Sequence, residues 1–445
     1  MLKPIHVLVA GMVAAIGLIP GEAAAQRLSF IRDAEIENTI RAFATPLFRA
    51  AGLDPAAIGV HLVNDKSLNA FVAGGLNLFI NTGLLIRSEH AGQVIGVIAH
   101  ETGHISGGHL SRTQEALRNA TTESILAVVL GVAAGIVSGR GDVGAAIITG
   151  GAQVGQRSIL QYSREQESAA DQAGIAFLEA TGQSPRGIME FLSVLQDQEL
   201  LTVGRQDPYV RTHPITSERA SAMRAALDRS RFADARISPE FATMHRRMRA
   251  KLLGFMEPER ALSEYKEGDP SIEARYARAI AYYKKPDLAR ALPLVDGLIA
   301  ASPNDPYFHE LKGQVLFENG RAAEALGSYE RAVALMPDQP LLRTSLAQVQ
   351  LELNTPALIK PALDNLNRAV AADRGNGLTW QLLAVAYGRD GQTGMLALAL
   401  AERASLQGNK SEARQQADRA ERLLPHGSPG WLRAQDIKVE AEKKD

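Results

Sequence analysis

Between Arg32 and Ala51 apolar residues fall at Ile36, Ile40, Phe43, Leu47 and Phe48, steps of three and four that predict an amphipathic helix ended by Gly52. The period then changes. Ile58 to Val63 is an apolar run with β-branched residues, and Asn64-Asp65 is the turn expected after it. Asn69-Ala70-Phe71-Val72-Ala73 runs up to Gly74-Gly75 and Leu78-Phe79-Ile80 returns, so a small strand-turn-strand sheet is expected. After Thr82-Gly83-Leu84-Leu85 the helical spacing resumes. A helix is predicted from Ser88 as N-cap, with Glu89 in its first turn, Val94, Ile95, Val97 and Ile98 facing a core, and Gly107-Gly108 as its end.

From Ala120 to Ile159 the chain turns to Ala, Gly, Val and Ile. Two short hydrophobic helices are expected, Ile125 to Val137 and Ala145 to Val154, parted by Ser138-Gly139-Arg140-Gly141. Each is too short for a bilayer span, which favours a buried hairpin or lid and leaves shallow contact with a membrane surface open. A polar helix then starts near Tyr162, with Glu167 and Asp171 on one face. An arginine-rich helical segment runs to Arg236, and a basic amphipathic stretch, Phe241 to Phe255, carries Met244, Met248, Leu252 and Leu253.

Past that point the chain repeats. Ala279, Ala291 and Pro303 return thirty-four residues later as Gly313, Ala325 and Pro337, the period of tetratricopeptide units. The second unit also has Gly320, Tyr329 and Ala332. A third, stretched by Asn354-Thr355-Pro356, keeps Ala347, Ala362 and Ala369, and a degenerate fourth opens at Trp380, Ala384, Tyr387 and Gly391 and closes with Ala413, Ala420 and Pro425. Stacked helix pairs of this kind form a curved surface for peptides or partner proteins.

Composition sharpens the picture at three points. Lys3, the apolar run Val7 to Ile19, Pro20-Gly21 and Ala23-Ala24-Ala25 form a secretory signal with an A-x-A cleavage site, so the chain is expected to be exported and the mature chain to start at Gln26. The 445 residues contain no cysteine, so a secreted fold must be held by core packing and by a metal. A formal net charge of −1 leaves no electrostatic footprint for nucleic acid. The expected division is residues 1–25 as signal peptide, 26–255 as catalytic domain and 256–445 as repeat domain.

The chemistry is concentrated in His100-Glu101-Thr102-Gly103-His104. Two histidines four apart on a helix share a face and can bind one Zn²⁺, and Glu101 between them can take a proton from an attacking water and pass it to a departing amide nitrogen. A catalytic zinc usually has a third protein ligand. The extension H-E-x-x-H-x-x-G-x-x-H fails, since its last position is Leu110 and His109 is one residue out of register, which makes His109 a structural or surface histidine. Glu167 followed by Asp171 has the spacing of a ligand and a carboxylate that accepts a histidine N–H. As isolated residues the two fit a solvated surface better than a site.

His100-Glu101-Thr102-Gly103-His104, Tyr162-Ser163-Arg164 leading to Glu167-x-x-Ala170-Asp171, and Thr212-His213-Pro214 with Arg219 downstream together resemble the gluzincin peptidases that include HtpX and the CAAX prenyl protease. Asn69-Ala70-Phe71 and Thr82-Gly83-Leu84-Leu85 resemble the family's edge-strand and pre-helix segments. The resemblance covers Arg32 to Ala220. It implies one zinc per chain held by His100, His104 and Glu167, Glu101 as general base and Asp171 in an orienting role. For His213 it leaves two roles open: a plug on zinc's open position, or a donor to the tetrahedral oxyanion. The family's membrane members carry long transmembrane helices that this chain lacks, so the likeness is greatest to the soluble periplasmic branch of the beta-barrel assembly-enhancing type, with its C-terminal helical repeats.

The expected fold is therefore mainly α: a zincin-type metallopeptidase domain with a small β-sheet, then an α-solenoid. The expected function is a periplasmic zinc endopeptidase acting on misfolded or misassembled proteins, outer-membrane β-barrel proteins foremost, with the repeats engaging clients or the outer-membrane assembly machinery. The alternative is a chaperone or assembly scaffold whose zinc site stays latent. An edge strand could hold substrate through main-chain hydrogen bonds; a purely structural hairpin is the other reading of those strands.

Overall fold

The computed structural model describes residues 29–109, 164–196 and 208–442. The signal peptide and the hydrophobic hairpin Ile125 to Val154 lie outside the described residues. The first helix, α1 (Ala34–Ala50), starts at Asp33, whose side chain accepts from Ile36 N–H, and ends before Gly52 at φ +71°. Its apolar stripe, Ile36, Ile40, Phe43, Leu47 and Phe48, is buried as the spacing predicts.

The sheet has one strand more than the three β-type runs expected. It has four, β1 (Phe30–Ile31), β2 (Gly59–Val63), β3 (Ala70–Ala73) and β4 (Asn77–Asn81), in the order β1-β2-β4-β3. β3 and β4 form the expected antiparallel hairpin, but β2 pairs with β4 in parallel, and two-residue β1 lies antiparallel beside β2. Val60, Leu62, Ala70, Val72, Leu78 and Ile80 face the main core. Val63, Phe71, Ala73 and Phe79 gather on the other face, where Phe71 and Phe79 stack with centroids 4.9 Å apart. β3 is left at the edge.

Ser88 does not start the next helix. Residues Thr82–Arg87 form a short helix of their own, α2, with Ser88 as its C-cap, and α3 (Ala91–Ser106) begins after His90. Ser88 Oγ bonds instead to Leu85 O and to His245 Nε2, so its hydroxyl closes one helix rather than opening another. Val94, Ile95, Val97 and Ile98 are buried as expected, and Gly107 ends α3.

α4 (Arg164–Ala180) and α5 (Arg186–Gln196) lie across α3 in contact without side chains between them. A Cβ on Gly103 would stand 2.6 Å from Ala170 O, one on Gly96 2.5 Å from Ile188 N, and one on Gly187 2.1 Å from Gly92 O. Glycine at these positions is what lets the backbones meet. α6 (Pro208–Thr212), α7 (Ser217–Arg229) and α8 (Pro239–Met256) follow. α7 stops at Ser230, short of the expected Arg236.

After α9 (Pro258–Glu264) the chain forms five helical hairpins: α10 (Ile272–Lys284) with α11 (Leu288–Ala301), α12 (Pro306–Glu318) with α13 (Ala322–Leu335), α14 (Pro340–Glu352) with α15 (Pro356–Ala372), α16 (Gly377–Arg389) with α17 (Thr393–Leu406), and α18 (Lys410–Leu423) with α19 (Pro429–Glu442). The repeat alanines are buried between them, and a Cβ on Gly313 would meet the Tyr329 ring at 2.7 Å. The degenerate fourth unit divides differently from the sequence reading: α17 completes it, and Ala413 and Ala420 belong to the first helix of a further hairpin. Among the described residues no helix is long and apolar enough to cross a membrane.

Candidate active site

Helix α3 carries His100 and His104 one turn apart, and the close crossing at Gly103 and Ala170 brings α4 against them, with Glu167 and Asp171 on the facing side. A third segment arrives at the end of α6, where His213 follows Thr212. His100, Glu101, His104, Glu167 and His213 are all 0 % exposed. The structure thus brings together all six residues singled out in the sequence.

Four donor atoms converge. His100 Nε2 is 3.1 Å from His104 Nε2 and 3.3 Å from His213 Nδ1; Glu167 Oε1 is 3.2 Å from His104 Nε2 and 3.0 Å from His213 Nδ1. One ligand atom from each residue lies within 4.8 Å of all the others. Donors at about 2.0–2.1 Å from one tetrahedral Zn²⁺ lie roughly 3.3 Å apart, so three imidazole nitrogens and one carboxylate oxygen fit such an ion in number, kind and spacing.

The surroundings of the cluster set its charge. His100 Nδ1–H donates to Asp171 Oδ1 at 2.9 Å, which turns Nε2 toward the other donors. Arg219, on α7, binds both carboxylates: Nε to Asp171 Oδ2 at 2.7 Å, Nη2 to Asp171 Oδ1 at 2.9 Å and Nη1 to Glu167 Oε2 at 2.6 Å. Burial opposes charge on His100, but the bonds and charge of Asp171 and Glu167 outweigh it and raise the imidazole to about 10. Burial lowers His104 to about 3, which keeps its lone pair available. Glu167 is held well below the usual carboxylate range because His213, His100 and His104 outweigh the cost of its burial. Three buried carboxylates, Glu101, Glu167 and Asp171, face one guanidinium. Arg219 and the raised His100 together match the charge of Glu167 and Asp171.

Neither oxygen of Glu101 has a hydrogen-bond partner; His213 Nε2 lies 3.5 Å from Oε1. Burial pushes this carboxyl up, with His213 and His100 pulling it part of the way back. Tyr209, fully buried on α6, stacks on His213 with centroids 4.5 Å apart, and its hydroxyl is also unpartnered.

Three contacts were not legible from spacing. His109 was expected to be structural or superficial, and its Nδ1 sits 3.0 Å from Nδ1 of His104, on the side away from the cluster. Arg219 stood in a motif without a role, and Tyr209 was not singled out. The only hint for Arg219 was its position after Pro214, whose carbonyl accepts from Nη1 at 2.6 Å.

These geometries define a metallopeptidase site, and the comparisons agree. Residues 31–227 match Peptidase family M48, and residues 259–306 and 276–340 match the tetratricopeptide repeat, so a metallopeptidase domain is followed in this chain by repeats C-terminal to it. The beta-barrel assembly-enhancing protease of Yersinia pestis is 26% identical over 365 residues, 79% of this chain and 72% of that one. The protein of that name from Escherichia coli K12 is 25% identical over 333 residues, covering 73% and 66%. Metalloprotease LoiP of Escherichia coli K12 is 27% identical over 161 residues, 36% of this chain and 58% of LoiP.

Proposed function

We propose that this chain is a periplasmic zinc endopeptidase that cleaves misfolded or misassembled proteins, outer-membrane β-barrel proteins foremost, and uses its repeats to engage those clients or the machinery that assembles them. The observation that carries the catalytic half is the buried cluster of His100, His104 and Glu167 beside a Glu101 carboxylate with no partner of its own. The client class rests on the similarity to the beta-barrel assembly-enhancing proteases of Yersinia pestis and Escherichia coli. The proposed division is a signal peptide at 1–25, a peptidase domain at 26–255 and a repeat domain at 256–445, with export ending in cleavage between Ala25 and Gln26.

In this reading His100, His104 and Glu167 hold one zinc, which when bound supplies Lewis acidity. Glu101 accepts a proton from the attacking water as its oxygen bonds to the substrate carbonyl carbon, and returns a proton to the amide nitrogen as the C–N bond breaks. Asp171 keeps His100 in the productive tautomer, and Arg219 keeps Glu167 and Asp171 from rotating. Substrate lies along β3. Asn81 N–H donates to Asn69 O, so in this antiparallel ladder the backbone groups of Ala70 and Val72 point outward, free to pair with an extended peptide of almost any sequence.

His213 favours a latent version of the same enzyme. Its Nδ1 sits among the donors and it fills the position a water needs, which supports the plug over the oxyanion donor in this closed state. The same observation favours the alternative reading, a chaperone or assembly scaffold with a site that is seldom open. Zinc analysis of the purified mature chain, with casein cleavage by wild type, Glu101→Gln and His213→Ala, separates them. The peptidase reading expects about one zinc per chain in all three, cleavage down at least a hundredfold in Glu101→Gln, and a rise in His213→Ala. Client rescue by Glu101→Gln at wild-type level would decide for the scaffold.

A further inference from the structure

Helix α6 has only five residues, too few to be stable alone, so its place is set by contacts. Tyr209 makes most of them. Its N–H donates to Leu68 O at 3.3 Å, the carbonyl two residues ahead of edge strand β3, and its own carbonyl accepts from His213 N–H at 2.7 Å. Its ring lies against the His213 imidazole, with 4.5 Å between centroids and 26° between planes, and Phe191 of α5 closes on it edge-on at 5.2 Å. The ring is fully buried while the hydroxyl bonds to nothing. The aromatic face, not the polar tip, is therefore what acts on His213.

We infer that Tyr209 is the positioning residue for His213: its ring holds the imidazole so that Nδ1 stays among the donor atoms of His100, His104 and Glu167, and the site remains closed for as long as the stack lasts. Because α6 hangs from Leu68, the stack is tied to the main chain that leads into β3. A strand paired to β3 and the imidazole over the cluster thus share one support. The inference rests on the reading of the cluster as a zinc site, and not on whether that site cleaves peptides.

The test is the rate at which the zinc-loaded full-length mature chain gives up its metal to a chromogenic chelator. Wild type, Tyr209→Phe, Tyr209→Leu, His213→Ala and the double variant Tyr209→Leu/His213→Ala are compared. Tyr209→Phe keeps the ring and is expected to match wild type. Tyr209→Leu is expected to release zinc about tenfold faster or more, as His213→Ala does, because a supporting side chain of a ligand is lost. The double variant is expected to be no faster than His213→Ala alone, since the two changes remove one interaction. Release from Tyr209→Leu at the wild-type rate would overturn the inference, and so would two effects that multiply in the double variant, the mark of general loosening. Should Tyr209→Leu fail to fold, Tyr209→Met, unbranched and adaptable, carries the same expectations. Casein cleavage by wild type and Glu101→Gln is run alongside. Equal rates there sink the peptidase reading and leave the zinc-release cycle readable, whereas a chain that takes up no zinc overturns both.

Discussion

Asp171 and Arg219 form the support on which the site's charge balance turns. Replacing Asp171 with Asn keeps the shape but weakens the hold on His100, and zinc affinity is expected to fall about 10- to 100-fold, read by competition with a chelator of known affinity. Arg219→Ala is more severe. It leaves Glu167 and Asp171 buried without their guanidinium, a loss of roughly 3–5 kcal/mol in the metal-free protein, to be measured by urea unfolding. Arg219→Lys keeps the charge but not the forked contact and should recover only part of it. Tyr209→Phe has the opposite sign: deleting a buried hydroxyl with no partner is expected to stabilise by about 1 kcal/mol, seen as a higher midpoint in calorimetry. The residues that the structure brings into the cluster were legible in the sequence because metal-binding chemistry demands particular residue types, and the family resemblance supplied Glu167 and His213. The supports were not. An arginine 48 residues beyond Asp171 has no period or spacing that announces the contact, and a tyrosine in a five-residue helix looks like any core aromatic.

At the scale of elements, spacing located α1, α3, α4, α7, α8 and the repeat helices, because burial of one face dictates the period, but it gave no sign of α2, α5, α6 or α9. It failed where boundaries are decided by tertiary contact. Ser88 has the chemistry of an N-cap, yet His245 on α8 claims its hydroxyl, and the two-residue strand β1 is placed by pairing with β2 and by Phe30 and Ile31 packing on the sheet and core. The parallel pairing of β2 with β4 could not be read from alternation, which is the same in either direction. Gly96 and Gly103 of α3 carried no reading from the sequence, whereas they are the contact surfaces on which α5 and α4 rest. Gly103→Ala would drive a methyl group into the Ala170 carbonyl, pushing α4 away with Glu167 and Asp171 on it. The expected outcome is a cost of about 1–3 kcal/mol together with loss of bound zinc, read by thermal unfolding and metal analysis of the same samples. A variant that retains its full metal content would show that α4 is not held by this contact.

Across the whole molecule, the peptidase and repeat segments are joined through the start of α1. Lys251 of α8 is buried with Asp33 at 2.7 Å, Glu35 at 3.4 Å and Glu310 of α12 at 3.9 Å, while Arg247 binds Glu35 at 2.8 Å and also Asp305, and Tyr276 OH donates to Glu35 at 2.7 Å. Arg32 reaches Asp373 beyond α15 at 2.8 Å. Burial, with Asp33 and Glu35 adding to it, raises Glu310 to about 7 despite the nearby Lys251. A carboxyl raised by folding favours the folded state below about pH 4.5, and that contribution is lost as pH rises through about 7. Glu310→Gln removes the loss. Its stability relative to wild type should therefore climb by roughly 1–3 kcal/mol between pH 4.5 and pH 8, checked by urea midpoints across that range.

The donors of the cluster come from distant parts of the chain: His100 and His213 are 113 residues apart, and Glu167 and His213 are 46. In a protein without cysteine, an ion shared by these side chains does what a pair of disulfides would do in another, closing long loops and removing freedom from the unfolded chain. The difference is reversibility. A covalent staple holds at any dilution, but a bound ion would tighten and slacken with the free metal around it, so under the proposed zinc reading folded stability would follow the local metal supply.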